Sequence, residues 1–311
     1  MSAMTQRLSG VLRLGPIFYG GLRALGVPAA NRRLQEAGVI LCYHNVVPAD
    51  GEDGGGAGLH VGQDRFERQM RWLAAHYTVV SVREIVERMA AGASLRSLAA
   101  VTFDDGYAGV FELAMPILTG LGLPATVFLV SDAVGRPTGF WWDQPEIVSA
   151  VDEDRRKEWL TALRGDGDAI MASAAGEEAR CLLRAYRPAD WGMICAGLGR
   201  GIELGGHSAT HRSLPALTDD ELEYEVASSR AAIHGRTGVW PEVFAYPYGL
   251  WDQRVRERVR AAGYRAALTL DAGLNRARSD PWSLRRVNVP ARISDAAFEA
   301  WTAGLGAARG A

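Results

Sequence analysis

The sequence predicts an α/β protein built on a parallel sheet that curls into a barrel. Three observations predict it. From residue 38 onward, short apolar runs alternate with amphipathic helical patterns, the signature of βαβ units and a parallel sheet. About seven such runs occur without a G-x-G-x-x-G or Walker loop, which favours a closed or distorted barrel over a dinucleotide-binding sheet. Polar residues gather just past the C-terminal ends of four runs, the face on which barrel enzymes carry their active sites.

The elements follow in order. Residues 39–43 (Val-Ile-Leu-Cys-Tyr) form an apolar run of strand length. Residues 50–58 are rich in Gly and acids and read as a loop. Asp64 and Glu67 make a capping-box pattern before Phe66, Met70, Leu73 and Tyr77 at helical spacing, and Ser81 and Glu84 repeat it before Val82, Ile85 and Met89. Strands are expected at 100–103 and 125–130, with a helix at 110–121 stopped by Gly122. Residues 145–200 break the rhythm: rich in Ala, Arg, Glu and Asp, they read as a helical insertion. Strands at 202–204, 243–246, 264–270 and 287–289 complete the pattern, with a helix capped by Thr218 and Glu221 and another at 251–262 ended by Gly263. The expected organisation is a helical extension over 1–37, a catalytic domain over 38–295 and a tail over 296–311.

Composition excludes some classes. The net charge is −2 and no dense Lys/Arg run occurs, so nothing points to nucleic acid. The spacing of Cys42, Cys181 and Cys195 fits no zinc or redox motif, and buried free thiols in a reducing compartment are expected. Arg7, Arg13, Arg23, Arg32 and Arg33 interrupt the early apolar stretches, so no signal peptide or membrane span is expected and the protein is read as cytoplasmic. Val11, Leu12, Leu14, Ile17, Phe18, Leu22 and Leu25 could form one apolar stripe. Such a helix packs on the domain or lies on a membrane surface through residues 7–28. Oligomeric state is not legible.

The chemistry collects in the four strand-end clusters. His44 follows the first strand, Asp104 and Asp105 the second, His207 and His211 the strand at 202–204, and Tyr246-Pro247-Tyr248-Gly249 the strand at 243. Two imidazoles four apart on a helical turn can share one metal. Adjacent carboxylates repel and lose hydration, which a divalent cation would offset. Their side chains diverge, so one can bind metal while the other accepts a proton. One Asp and two His make a two-histidine, one-carboxylate set with open positions, suited to zinc, iron, cobalt or nickel. Metal-activated water beside a free carboxylate is equipped for amide or ester hydrolysis.

These residues resemble the polysaccharide deacetylase family (NodB-homology domain, carbohydrate esterase family 4). Thr102-Phe103-Asp104-Asp105-Gly106 is similar to its first motif, His207-Ser208-Ala209-Thr210-His211 to its second and Tyr246-Pro247-Tyr248-Gly249 to its third. The resemblance runs from about residue 38 to 290. It implies a distorted barrel of the (β/α)7 type and removal of N-acetyl groups from an amino-sugar glycan or glycoconjugate. It assigns Asp104 as general base, Asp105, His207 and His211 as ligands of one divalent ion, commonly zinc, and the Tyr248 backbone N–H as an oxyanion donor.

Two positions depart from the family pattern. Ala245 stands where an arginine usually orients the base, and no histidine follows His234 to serve as the late general acid. The branch that deacetylates poly-N-acetylglucosamine carries its acid in an early Tyr-His strand, which Tyr43-His44 matches. Arg286 could supply the missing guanidinium, with Arg285 as neighbouring candidate. Phe140-Trp141-Trp142-Asp143 suits either a sugar-stacking wall or a core. Two other readings are a deformylase or deacylase acting on a lipid-linked or small amino-sugar metabolite, and an inactive glycan-binding relative. The intact Asp104, Asp105, His207 and His211 set argues against the second.

Overall fold

The computed structural model describes residues 17–49, 58–144, 147, 151–174 and 181–306. Ten strands are described: β1 (Val39–Tyr43), β2 (Asn45–Val47), β3 (His60–Gly62), β4 (Thr78–Val79), β5 (Leu98–Phe103), β6 (Ala125–Leu129), β7 (Ile202–Gly206), β8 (Val243–Ala245), β9 (Ala266–Leu268) and β10 (Val287–Asn288). Eight of them form one sheet in the order β10-β1-β5-β6-β7-β8-β9, with β4 beside the start of β5. Every pairing in it is parallel. The sheet curls until one segment touches both of its ends. Leu284 bridges Leu268 of β9, and Val287 and Asn288 pair with Leu41 and Cys42 of β1. The expected distorted (β/α) barrel is therefore the observed architecture, with residues 284–288 as its seam.

The helices cover the outside. α1 (Val27–Leu34) precedes the barrel, and α2 (Gln63–His76), α3 (Val82–Ala90) and α4 (Met115–Leu121) link its first strands. α5 (Glu153–Thr161), α6 (Gly167–Ala174) and α7 (Trp191–Leu198) lie within the insertion, and α8 (Asp219–Glu223), α9 (Ser229–Thr237), α10 (Gln253–Ala261) and α11 (Asp295–Thr302) follow. The helix expected over 110–121 is split: residues Val110–Ala114 take a π-helical turn before α4. His60 opens β3, just past the expected loop, and β3 pairs with β2 in a separate two-stranded sheet. Residues 296–302, read as tail, belong to α11, whose Phe298 and Ala300 are buried.

Alternation along the strands builds the interior. Val39, Leu41, Ala99, Val101 and Phe103 face the helices in the largest apolar cluster. Ile40, Ala100, Phe128, Ala245, Leu268 and Leu284 form a second cluster inside the barrel. Gly205 of β7 faces inward too, and a Cβ there would lie 2.3 Å from the Phe128 ring, so the ring fills the space that a side chain would occupy. Two residues further along each strand, the inward positions turn polar: Cys42, Thr102 and Arg286 are buried above that layer. The next inward positions are His44, Asp104, His207 and Asn288, and they open to a cavity.

The N-terminal extension packs on α11 and keeps part of its apolar stripe outside. Arg23 pairs with Glu299 at 3.1 Å, and the Asn31 side chain donates to the Ala303 carbonyl at 2.7 Å. Ile17, Phe18 and Leu25 remain exposed. The stripe before residue 17 lies outside the described residues, as do the glycine-rich residues 50–57. No helix among the described residues is long and apolar enough to cross a membrane. The cysteines are free, but only Cys42 is buried; Cys181 and Cys195 are exposed.

Candidate active site

Asp104 is the first residue past β5, on the inward side. Its carboxylate receives two hydrogen bonds from Arg286, Nη1 to Oδ1 at 2.6 Å and Nη2 to Oδ2 at 2.7 Å. Arg286 is fully buried. Its Nε donates to the Thr269 carbonyl at 2.8 Å, and the guanidinium lies over the Phe128 ring. The seam explains why Arg286 and not Arg285 faces in: Leu284, Arg286 and Asn288 share one side of the strand, while Arg285 is exposed. Burial by itself would raise the Asp104 carboxyl, but the adjacent guanidinium, then His207, hold it well below the usual carboxylate range. The Cys42 thiol donates to Asp104 Oδ2 at 3.5 Å.

Asp105 faces elsewhere because its backbone is left-handed, with φ 68°. Its Oδ1 lies 3.5 Å from His207 Nε2 and 3.4 Å from His211 Nε2, and those two nitrogens are 3.2 Å apart. His207 Nδ1 donates to the Ala245 carbonyl at 2.7 Å, which leaves Nε2 as a bare lone pair. Asp105 Oδ1 is buried with no hydrogen-bond donor among the described residues. Three potential ligand atoms thus converge on one point, where a divalent cation could bridge them. Their separations match the edge of about 3.3–3.4 Å expected for a tetrahedral ion bound at about 2.0–2.1 Å. They exceed the edge of about 2.9 Å that octahedral ligands at that distance would have. The residues present fit a divalent metal. Burial pushes the Asp105 carboxyl up, with Asp104 adding to it, and burial pulls both imidazoles down.

The two histidines do not share a helical turn, as their spacing suggested. They lie in the loop after β7, where Ser208 (φ 67°) and His211 (φ 63°) are left-handed. Tyr248, in the turn Pro247–Gly249 after β8, has φ 57°. Four of the six non-glycine residues with positive φ among the described residues, these three and Asp105, are at this site. Such conformations cost about 1–3 kcal/mol each and persist where the surroundings impose them.

His44 lines the same cavity, of about 300 Å³, together with Asp104, Asp105, His207, His211 and Tyr248. Ligand atoms of Cys42, His44 and Asp104 lie within 4.8 Å of one another. Burial pulls the His44 imidazole down to about 4, so it is neutral at pH 7, away from the near-neutral value that an unperturbed histidine would have.

The cavity wall takes two residues from the Phe140–Asp143 segment. Trp141 and Trp142 are buried and line it, so they are both core and wall. The Trp142 ring centroid is 4.7 Å from that of His211. A buried network fixes this wall. Asn45 Nδ2 donates to His60 Nδ1 at 3.1 Å and to the Ala185 carbonyl at 2.9 Å. That makes His60 Nε2 the donor to Asp143 Oδ1, at 3.0 Å. Asp143 Oδ2 accepts from Tyr107 Oη at 2.8 Å, and Tyr107 Oη accepts from Trp142 Nε1 at 2.9 Å. His60 and Asp143 are 83 residues apart, and no local pattern announces the pair.

Comparisons with known proteins bear on the family and the fold. The family model for polysaccharide deacetylases matches residues 92–267. The chain is 22% identical over 264 residues to the polysaccharide deacetylase homologue YxkH of Bacillus subtilis (strain 168), covering 84% of this chain and 75% of that one. It is 26% identical over 257 residues to the poly-beta-1,6-N-acetyl-D-glucosamine N-deacetylase of Escherichia coli (strain K12), covering 76% of this chain but only 34% of that protein. Among solved structures, IcaB from Ammonifex degensii superposes with a TM-score of 0.62 at 21% identity, covering 87% of this chain and 98% of that one. The Streptococcus pyogenes deacetylase PplD does so with a TM-score of 0.61 at 18% identity, covering 83% and 94%. At these identities the solved structures speak for the fold.

Proposed function

The chain belongs to the polysaccharide deacetylase family, and on that footing we propose that it is a metal-dependent hydrolase removing N-acetyl groups from an amino-sugar glycan or glycoconjugate. One observation carries the reading: a carboxylate clamped by Arg286 faces three convergent metal-type donors across one cavity. A glycan-binding relative would need neither the donors nor the second, free carboxylate.

Asp105, His207 and His211 would hold the cation. When bound, a divalent ion supplies Lewis acidity, polarising the acyl carbonyl and lowering the pKa of water. The rest falls to the chain. Asp104 accepts the proton of the attacking water. The two-point grip of Arg286 fixes its orientation and keeps it ionised, which makes it always able to accept at some loss of basicity. The backbone N–H of Tyr248 is the candidate donor to the developing oxyanion. His44 is the candidate acid for the departing amine. Neutral in the free site, it must receive a proton during the reaction. Asp104, held far below it in pKa, is the neighbour that has just taken one. The proton that the attacking water gives up as its oxygen bonds to the acyl carbon thus passes from Asp104 to His44 and on to the amine, and each of these last two is a stronger base than the group before it.

A second reading is favoured by Ile17 and Leu25, which are 75% and 80% exposed: a deacylase acting on a lipid-linked amino sugar, with the N-terminal helices against the membrane surface. The test is an acyl-release screen of zinc-loaded protein on chitin oligomers, nucleotide sugars and lipid-linked sugars. Acetate from at least one class, abolished by chelation, is expected. No acyl release from any of them would remove the proposal.

A further inference from the structure

The insertion brings a second guanidinium to the catalytic cavity. Helix α5 is polar almost throughout, and its anchor is Trp159, which is buried with its ring edge-on to Trp141 at 5.3 Å. Arg156 precedes Trp159 by three residues, and positions three apart share a helix face. The contact that docks α5 therefore also turns Arg156 inward, where it lines the cavity with Asp105, His207 and Tyr248.

Among the described residues, the Arg156 guanidinium has no ion pair or hydrogen bond. Three other arginines have carboxylate partners: Arg164 and Arg212 both pair with Glu221, at 2.9 and 3.1 Å, and Arg184 pairs with Glu112 at 2.6 Å. The cavity's own carboxylates are committed, Asp104 to Arg286 and Asp105 to the histidine pair. Once a divalent ion is bound, the site carries surplus positive charge, with one planar two-point donor unspent. Such a donor suits phosphate or carboxylate, and a charge-assisted bond at an enclosed wall is roughly twice as strong as a neutral one.

We infer that Arg156 binds an anionic group of the substrate, so that the preferred substrate is an N-acylated amino sugar bearing a phosphate or carboxylate and not a neutral glycan. This rests on the deacylase reading and narrows it. The test uses zinc-loaded wild type, Arg156→Ala and Arg156→Lys hydrolysing para-nitrophenyl acetate. The competitors are N-acetylglucosamine, its α-phosphate ester and its lactyl ether, which carries a carboxylate. Wild type should be inhibited by at least one anionic sugar about tenfold more tightly than by the neutral one, a gap that one two-point ionic contact can supply. The phosphate and lactyl arms tell the two anions apart. Arg156→Ala should reduce the gap to about twofold or less, with Arg156→Lys between, because an ammonium keeps the charge but loses the fork. Equal inhibition by neutral and anionic sugars in active wild type, or an undiminished gap in Arg156→Ala, would overturn the assignment and leave the deacylase reading standing. Wild type that neither cleaves the aryl ester nor releases acetate from any N-acetyl sugar would overturn that reading, and this one with it.

Discussion

Asp104 and Asp105 are neighbours in the chain with opposite surroundings, and the backbone is the cause. Asp104 continues the inward side of β5 into the Arg286 fork, whereas the left-handed turn at Asp105 directs its carboxylate to the histidine pair. Asp104→Asn should therefore keep its metal and lose roughly 10²–10⁴-fold in turnover, the usual worth of a general base. Asp105→Asn should lose the metal itself; equal metal content in the two purified mutants would contradict the division. Arg286→Lys should keep metal while turnover falls, because lysine cannot grip both oxygens; a wild-type rate would show that the fork is not needed. In His44→Ala, hydrolysis of aryl acetates should survive while N-acetyl sugars lose roughly 10²–10⁴-fold, since only an amine needs a proton to depart. These residues were legible because motifs mark the two aspartates and the two histidines, and because strand alternation allows only one of Arg285 and Arg286 inside. Cys42 obeys the same alternation, two residues before His44, and could have been placed beside Asp104 by it. Arg156 could not, because its position depends on how α5 docks.

At the scale of elements, the long apolar runs and capped helices were readable, and the short or irregular pieces were not. β2 and β3 have three residues each, too few for a periodic signal, and their pairing spans the glycine-rich loop. The H-x-x-x-H spacing suggested a helix, but the left-handed residues Ser208 and His211 make it a loop, a conformation that no spacing rule reveals. The Trp141–Asp143 turn is held by the His60–Asp143–Tyr107 network, all of it buried. Removing the carboxylate strands three donors away from water: His60 Nε2, Tyr107 Oη and the Phe140 backbone N–H. Asp143→Ala should therefore cost about 3–5 kcal/mol, since each buried donor left without a partner costs about 1–3 kcal/mol, read as a lower urea midpoint at unchanged slope. A midpoint within experimental error of wild type would mean that the network does not hold the wall.

The whole molecule is a barrel whose closing segment also supplies the arginine that grips Asp104, so the contacts that close the fold also place Asp104. The cost appears at low pH. His44, His207 and His211 are kept neutral by burial, so their folded pKa values lie below the ordinary value of about 6.5. At these three groups the unfolded chain binds more protons than the folded one, and they outnumber the single Asp105 carboxyl, which burial raises and which acts in the opposite sense. That part of the stability is complete above pH about 6.5 and is lost as pH falls toward the folded values, which for His44 is about 4. Metal-free protein should show a falling urea midpoint between pH about 7 and about 5, with a smaller fall in His44→Gln; a flat midpoint would refute the burial argument. The central claim is that the Asp105, His207 and His211 centre and the Asp104 base together hydrolyse an N-acyl amino sugar. The measurement that meets it most directly is acetate release from N-acetylated amino sugars by the chelated protein before and after adding back zinc, with metal-loaded Asp104→Asn alongside. The account predicts no release without metal, release on its return, and little from the loaded mutant. Release that is indifferent to chelation, or undiminished in loaded Asp104→Asn, would contradict it.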